Sequence, residues 1–231
     1  YGITAMDAIT TGDDNTAIGN GALSALNTGE QNTAVGRNAV LVATNDSYNT
    51  AIGSSAGRSI TGGGNNNTLI GIEAGRALTT GDNNVAVGSE ALGNSSGATT
   101  EGNNTAIGAN ALASSGLNGA EFNVAIGNFA LDAITSGDTN VAVGHNAGTE
   151  VTTGGENVII GEGAGDILTS GNSNTFVGAN AGRTTDTAHN NICVGVAAVT
   201  SGTLSITMGI GIEGASNNFK FGKASNVVSN D

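Results

Sequence analysis

The chain has 231 residues with 39 glycines, no proline, no tryptophan and only 3% aromatics, so it lacks the large side chains that fill a wide core. At 38% apolar with many β-branched residues it is nonetheless too apolar for a disordered chain. A formal net charge of −13 argues against nucleic acid and anionic lipid, both polyanions, as partners. With no apolar run of about 18 residues, no membrane insertion is expected.

Read in chain order, one phrase returns eleven times. Its glycines are Gly19, Gly36, Gly53, Gly71, Gly88, Gly108, Gly127, Gly144, Gly161, Gly178 and Gly195. The steps between them are 17, 17, 18, 17, 20, 19, 17, 17, 17 and 17 residues. An asparagine stands four places before each glycine, from Asn15 to Asn191, and an alanine three places after it, from Ala22 to Ala198. Such self-similarity is the signature of a stacked repeat. Gly2 with Ala5 extends the frame backwards; Gly209 and Gly222 extend it forwards at steps of 14 and 13. The chain begins at Tyr1 without a signal peptide, so a fragment or processed product is expected.

Within each copy, Ile or Val precedes the glycine, and Thr, Val or Ile stands two places earlier, with a mostly small residue between. This period-two pattern predicts a short strand, ended by the glycine. A second apolar pair follows, the alanine and then Leu26, Ile60, Leu78, Ile134, Val151 or Leu168 four places later. TTGD-like turn chemistry leads into the next asparagine. A 17-residue unit cannot bury a face alone, whereas stacked units can. The expected fold is all-β: a parallel β-solenoid of about 12–13 short coils, with two short strands per coil. The array spans residues 1–203, with longer coils at 53–71 and 88–127, and degenerate terminal coils and a tail occupy 204–231.

The β-branched residues are expected to fill the coil. That leaves Ala17, Ala34, Ala51, Ala86, Ala106, Ala125, Ala142 and the bulkier Phe176 on an outer stripe suited to a homotrimer axis. Cys193, the only cysteine, reads as a small buried apolar group. The asparagine column predicts an amide ladder up the stack. An Asn–Thr ice- or glycan-binding surface is disfavoured, because Val or Ile replaces Thr at 85, 124, 141, 158 and 192 as if that position faced the core. Asp166 and Arg183 should pair one rung apart, Arg76 should partly neutralise Glu73, and His145 should lie beside Glu162.

Catalysis needs convergent acids, bases or nucleophiles, and His145 and His189 stand in no nucleophile context. Asp13, Asp82 and Asp138 recur too sporadically for a repeated calcium site. The sequence therefore predicts no enzyme, cofactor or metal. Candidate receptor contacts lie where coils are longest: Asn94, Thr99 and Glu101 in the first inserted stretch, Asn118, Glu121 and Phe122 in the second, with Phe129 nearby.

Asn104-Thr105-Ala106-Ile107-Gly108 with Ala111, and Asn123-Val124-Ala125-Ile126-Gly127 with Ala130, resemble the head repeat of trimeric autotransporter adhesins, the YadA-like left-handed β-roll. That motif runs Asn-Ser-Val-Ala-Ile-Gly; here one residue is missing after the asparagine and the period is longer. NTFVGANAG (174–182) is more similar still to repeats of bacteriophage tail fibres, and 219–231 is similar to what precedes their chaperone domain. The resemblance implies a trimeric, extracellular or virion-borne shaft or head that binds a host-cell surface glycan or protein. An adhesin head or a plain structural spacer is the alternative.

Overall fold

A computed structural model describes residues 1–93, 101–183, 186–223 and 226–229. It is an all-β parallel solenoid of about 12 turns, with no helix among the described residues. Each of the first eleven strands has three residues. They are β1 (Thr16–Ile18), β2 (Thr33–Val35), β3 (Thr50–Ile52), β4 (Thr68–Ile70), β5 (Val85–Val87), β6 (Thr105–Ile107), β7 (Val124–Ile126), β8 (Val141–Val143), β9 (Val158–Ile160), β10 (Thr175–Val177) and β11 (Ile192–Val194). β12 (Val199–Thr200), β13 (Ile206–Ile210), β14 (Glu213–Gly214), β15 (Phe219–Lys223) and β16 (Asn226–Ser229) follow. Fourteen strands form one sheet, β1 to β11 in sequence and then β13, β15 and β16, all parallel until the antiparallel final pair. Register never slips: Ala17 faces Ala34, Ala106 faces Ala125, and Phe176 faces Cys193.

Among the described residues, the expected second strand appears only near the end, as β12 paired with β14. In most coils that segment is a chain of turns, because residues two and four places after the glycine adopt left-handed backbone. Asn110 (φ 55°) and Leu112 (φ 53°) are one such pair. A third left-handed residue precedes each asparagine, as at Asn103 (φ 61°) and Phe122 (φ 57°). These corners bend a 17-residue chain back onto itself. The phrase glycine is required twice over. Gly108 has φ +130°, and a Cβ there would sit 2.6 Å from the Gly127 carbonyl of the next rung.

The strands face opposite to expectation. The middle residue of each of the strands β1 to β11 is buried, so Ala17, Ala34, Ala51, Ala86, Ala106, Ala125, Ala142 and Phe176 line the coil interior together with Leu69, Ile159 and Cys193. Burial pushes the Cys193 thiol up to about 12, which keeps it protonated and inert. The flanking Thr/Val/Ile and Ile/Val residues point outward instead, with Ile18 at 49% and Ile160 at 38% exposure.

The interior is narrow and already receives large residues from elsewhere. Leu23, Leu92, Leu112 and Leu131, four places after their glycines, are buried there, as are Leu26, Ile60, Leu78, Ile134, Val151 and Leu168. Holding a leucine in left-handed backbone costs about 1–2 kcal/mol. Burying its side chain returns about 1.5–3 kcal/mol, so burial wins. Where the strand supplies the large residue, that fourth position is glycine. Gly75 lies against Leu69, Gly165 against Phe176 and Ile159, and a Cβ on Gly182 would overlap the Phe176 ring. Core volume is thus shared between these two positions and with adjacent coils: where both are small, as at Ala51 with Gly57 and Ala142 with Gly148, the glycine faces Leu69 or Leu131 and Ile159 of the neighbouring rungs.

The amide ladder forms as expected. Asn140 is representative: its Oδ1 accepts from the Asn157 backbone N–H (3.1 Å) and side-chain Nδ2 (2.9 Å). Its own Nδ2 donates to Asn123 Oδ1 (3.1 Å) and to the Gly154 carbonyl (2.9 Å). The asparagines from Asn32 to Asn191 are buried, so this ladder satisfies turn groups that water cannot reach.

Candidate functional site

Three surfaces arise from this coil: the outer face of the long sheet, the polar turn that precedes each asparagine, and the longer coils. On the outer face, β1 to β11 carry only Thr, Val and Ile at both outward positions. Two in-register columns result, Thr16 to Ile192 and Ile18 to Val194, without a charge in either. β13 continues them with Ile206 and Met208, and β15 with Phe219 and Phe221. The Val and Ile substitutions at 85, 124, 141, 158 and 192 therefore lie on an outward, half-exposed column, not in the core.

The polar turn carries a second ladder. Two places before the asparagine, a side chain in six of the described coils caps the backbone N–H of the rung beneath. Asn65 Oδ1 accepts from Ser47 N–H (2.7 Å), Asp82 Oδ1 from Asn65 N–H (2.6 Å) and Asp138 Oδ1 from Glu121 N–H (2.7 Å). Asn172 Oδ1 accepts from Gly155 N–H (2.6 Å), and His189 Nδ1 accepts from Asn172 N–H (3.0 Å), which fixes the tautomer with its proton on Nε2.

Two of the three longer coils, 53–71 and 108–127, are held from below by buried carboxylates. At the position seven before the phrase glycine, most coils have Gly or Ala, because a Cβ there meets the next rung's backbone; at Gly12, Gly29 and Gly137 the overlap is severe. Acids occur only at Asp46 and Glu101, and each lies beneath a longer coil. Asp46 Oδ1 accepts from Gly63 N–H (2.7 Å) and Gly64 N–H (2.9 Å); Glu101 Oε1 accepts from Gly119 N–H (3.0 Å). The extra residues lift the turn away, and the carboxylate fills the space and binds its freed amides. Glu101 is fully buried with Oε2 unpartnered, so it is a turn anchor and not an exposed contact.

The other candidate contacts scatter. Asn94 and Thr99 lie outside the described residues. Asn118 is exposed and Glu121 half-buried. Phe122 (57% exposed) precedes β7 and Phe129 (40%) follows it, each at its own left-handed corner, so they form no common aromatic platform. Phe129 instead meets the His145 ring edge-on at 6.4 Å. The expected ion pairs are present: Arg183 Nε to Asp166 Oδ2 at 3.0 Å, and Arg76 Nη1 to Glu73 Oε2 at 3.1 Å. Both are solvent-accessible and contribute little to stability. Asp132 shares the register of Asp166 without an arginine beside it; burial raises its carboxyl above the ordinary value, a backbone hydrogen bond partly opposing. No group of three or more metal-ligating side chains occurs among the described residues.

Sequence reading missed the two outward columns, although the sequence carried a signal for them. Leu69, Ile159 and Phe176 coincide with glycine six places on, which marks both positions as facing one cavity. Compared with known protein families, characterised proteins and solved structures, the chain has no match.

Proposed function

We propose that the chain is a non-enzymatic segment of a trimeric surface fibre, a shaft or head that presents receptor-binding surfaces to a host cell. The observation that supports it is the uncovered outer face of the sheet. Twelve rungs at about 4.8 Å make a strip about 55 Å tall and about 10 Å wide. Its roughly 500 Å² of β-branched surface matches the largest apolar patches of monomers, about 300–600 Å², which usually mark interaction sites. Three identical flat columns, free of charge, suit convergence on one axis, where each side chain meets its own counterpart. The interface therefore belongs to the Thr/Val and Ile/Val columns, not to the alanines.

The similarity of NTFVGANAG to phage fibre repeats favours a tail fibre, carried on a virion. The shorter step from Gly195 to Gly209, nearer the adhesin repeat, is the observation favouring an adhesin head at a cell surface. In either setting three copies of a weak receptor site gain avidity through effective concentration. Light scattering of the wild type and of an Ile107→Glu, Ile126→Glu double variant tests assembly. The wild type should be a trimer, and the variant a monomer with unchanged β circular dichroism. A monomeric wild type, or a variant that still assembles, refutes the proposal.

A further inference from the structure

The polar-turn ladder lacks a side chain at two positions, Gly102 beside the stretch outside the described residues and Gly155, and at neither is the backbone left-handed. Apart from Gly102, the register of Gly155 elsewhere carries Asp13, Glu30, Ser47, Asn65, Asp82, Glu121, Asp138, Asn172 or His189. At Gly155 a Cβ would lie 3.0 Å from the Asp138 carbonyl, 3.6 Å from its N and 3.7 Å from Asn172 Oδ1. A side chain is therefore tolerable, as its neighbours in the column demonstrate. Its absence leaves nothing to cap the Asp138 N–H, and opens a notch of about 530 Å³ between successive turns. That volume lies within the about 300–1,000 Å³ of small-ligand sites.

We propose that this notch binds one saccharide residue of a surface glycan. The inference rests on the receptor-binding reading above and assigns it a site. Around the glycine the notch is lined by Ser136, Asp138, Thr139, Thr153, Glu156 and Asn172, residues that carry hydroxyl, carboxylate and amide groups. A hard cation needs several free oxygens converging on one point. Here Asp138 Oδ1 is occupied by Glu121 N–H (2.7 Å), and Glu156 Oε2 accepts from Ser173 Oγ (2.9 Å). Alternating hydroxyl, amide and carboxylate groups instead complement a polyol, whose hydroxyls both donate and accept. The glycine is the specificity element, since any side chain at 155 would occupy the sugar's place.

Saturation-transfer NMR on the wild type with glucose, galactose and N-acetylglucosamine tests this. At least one sugar should show transfer, falling at least tenfold in Gly155→Asn, a variant that completes the ladder and should melt no lower than wild type. Thr153→Ala, which keeps the backbone hydrogen bonds, should also weaken transfer and serves if Gly155→Asn misfolds. Transfer from none of the three sugars, or transfer unchanged in both variants, overturns the notch. A glycan array separates the two ideas: wild-type binding that persists in both variants removes the notch and leaves the receptor reading standing, whereas an array without wild-type binding removes the glycan from both.

Discussion

Phe176→Ala, Gly182→Leu and the double variant form a cycle that tests the reciprocity of the core. Phe176 is fully buried, and its ring occupies the space that a side chain on Gly182 would need. Removing the ring alone should cost about 3–5 kcal/mol, since a rung hydrogen-bonded above and below cannot collapse onto the void. Adding leucine alone should cost about 1–3 kcal/mol through overpacking, plus about 1 kcal/mol for a leucine in left-handed backbone. Together the two changes recreate the Ala–Leu pair of Ala106 with Leu112 and Ala125 with Leu131. The double variant should therefore be more stable than Phe176→Ala by at least about 1 kcal/mol, where additivity would make it the least stable of the three. Long repeat arrays need not unfold in two states. The measurement is therefore local hydrogen exchange at Gly178 N–H, which bonds the Ile160 carbonyl at 2.7 Å, alongside thermal melting. Additive losses would refute a shared cavity.

Three further outcomes follow from the buried polar groups. Asn140→Ala orphans at least the Asn157 N–H and the Gly154 carbonyl; at about 1–3 kcal/mol per orphan, about 2–6 kcal/mol should be lost in denaturant melts. Asp46→Ala should speed exchange at Gly63 and Gly64 by at least tenfold, from loss of charge-assisted bonds of about 1.5–3 kcal/mol, while Thr16 and Thr33 amides stay protected. Asp132→Asn should raise the melting temperature at pH 7. Because the folded carboxyl titrates above its unfolded value of 3.8, the penalty is fully present above the folded pKa and absent below 3.8, so the two proteins should melt alike at pH 3.

The period, the all-β class, the amide ladder, the buried alanines of the second segment and the Asp166–Arg183 pair were legible because each is fixed by register: a residue stacks on its counterpart one coil away. The Glu73–Arg76 pair was legible from its spacing of three within one coil. Which strand face turned inward was not. Alternation at period two says that faces differ, and Ala106 beside Ile107 suggests by size that the isoleucine fills the core. In a coil whose leucines enter from the corners, the strand has room only for alanine, and the larger residue is forced outward. The second strand was also misread, since Leu112 and Leu131 sit in a conformation that β-apolar residues usually avoid and that only burial makes tolerable. Glu101 was chosen for its place in an insertion, whereas its register, shared with Asp46, identifies it as an anchor beneath one.

The antiparallel closure of β15 by β16 sets a direction of growth. A coil added beyond β16 would meet a strand running the wrong way, so further parallel rungs fit on the N-terminal side of β15. Each duplicated 17-residue unit lengthens the rod by about 4.8 Å, provided that its large or small inner residue suits the coils above and below. Reach is therefore counted in whole coils, and the reciprocity seen at Phe176 and Gly182 decides which duplications a lineage can keep.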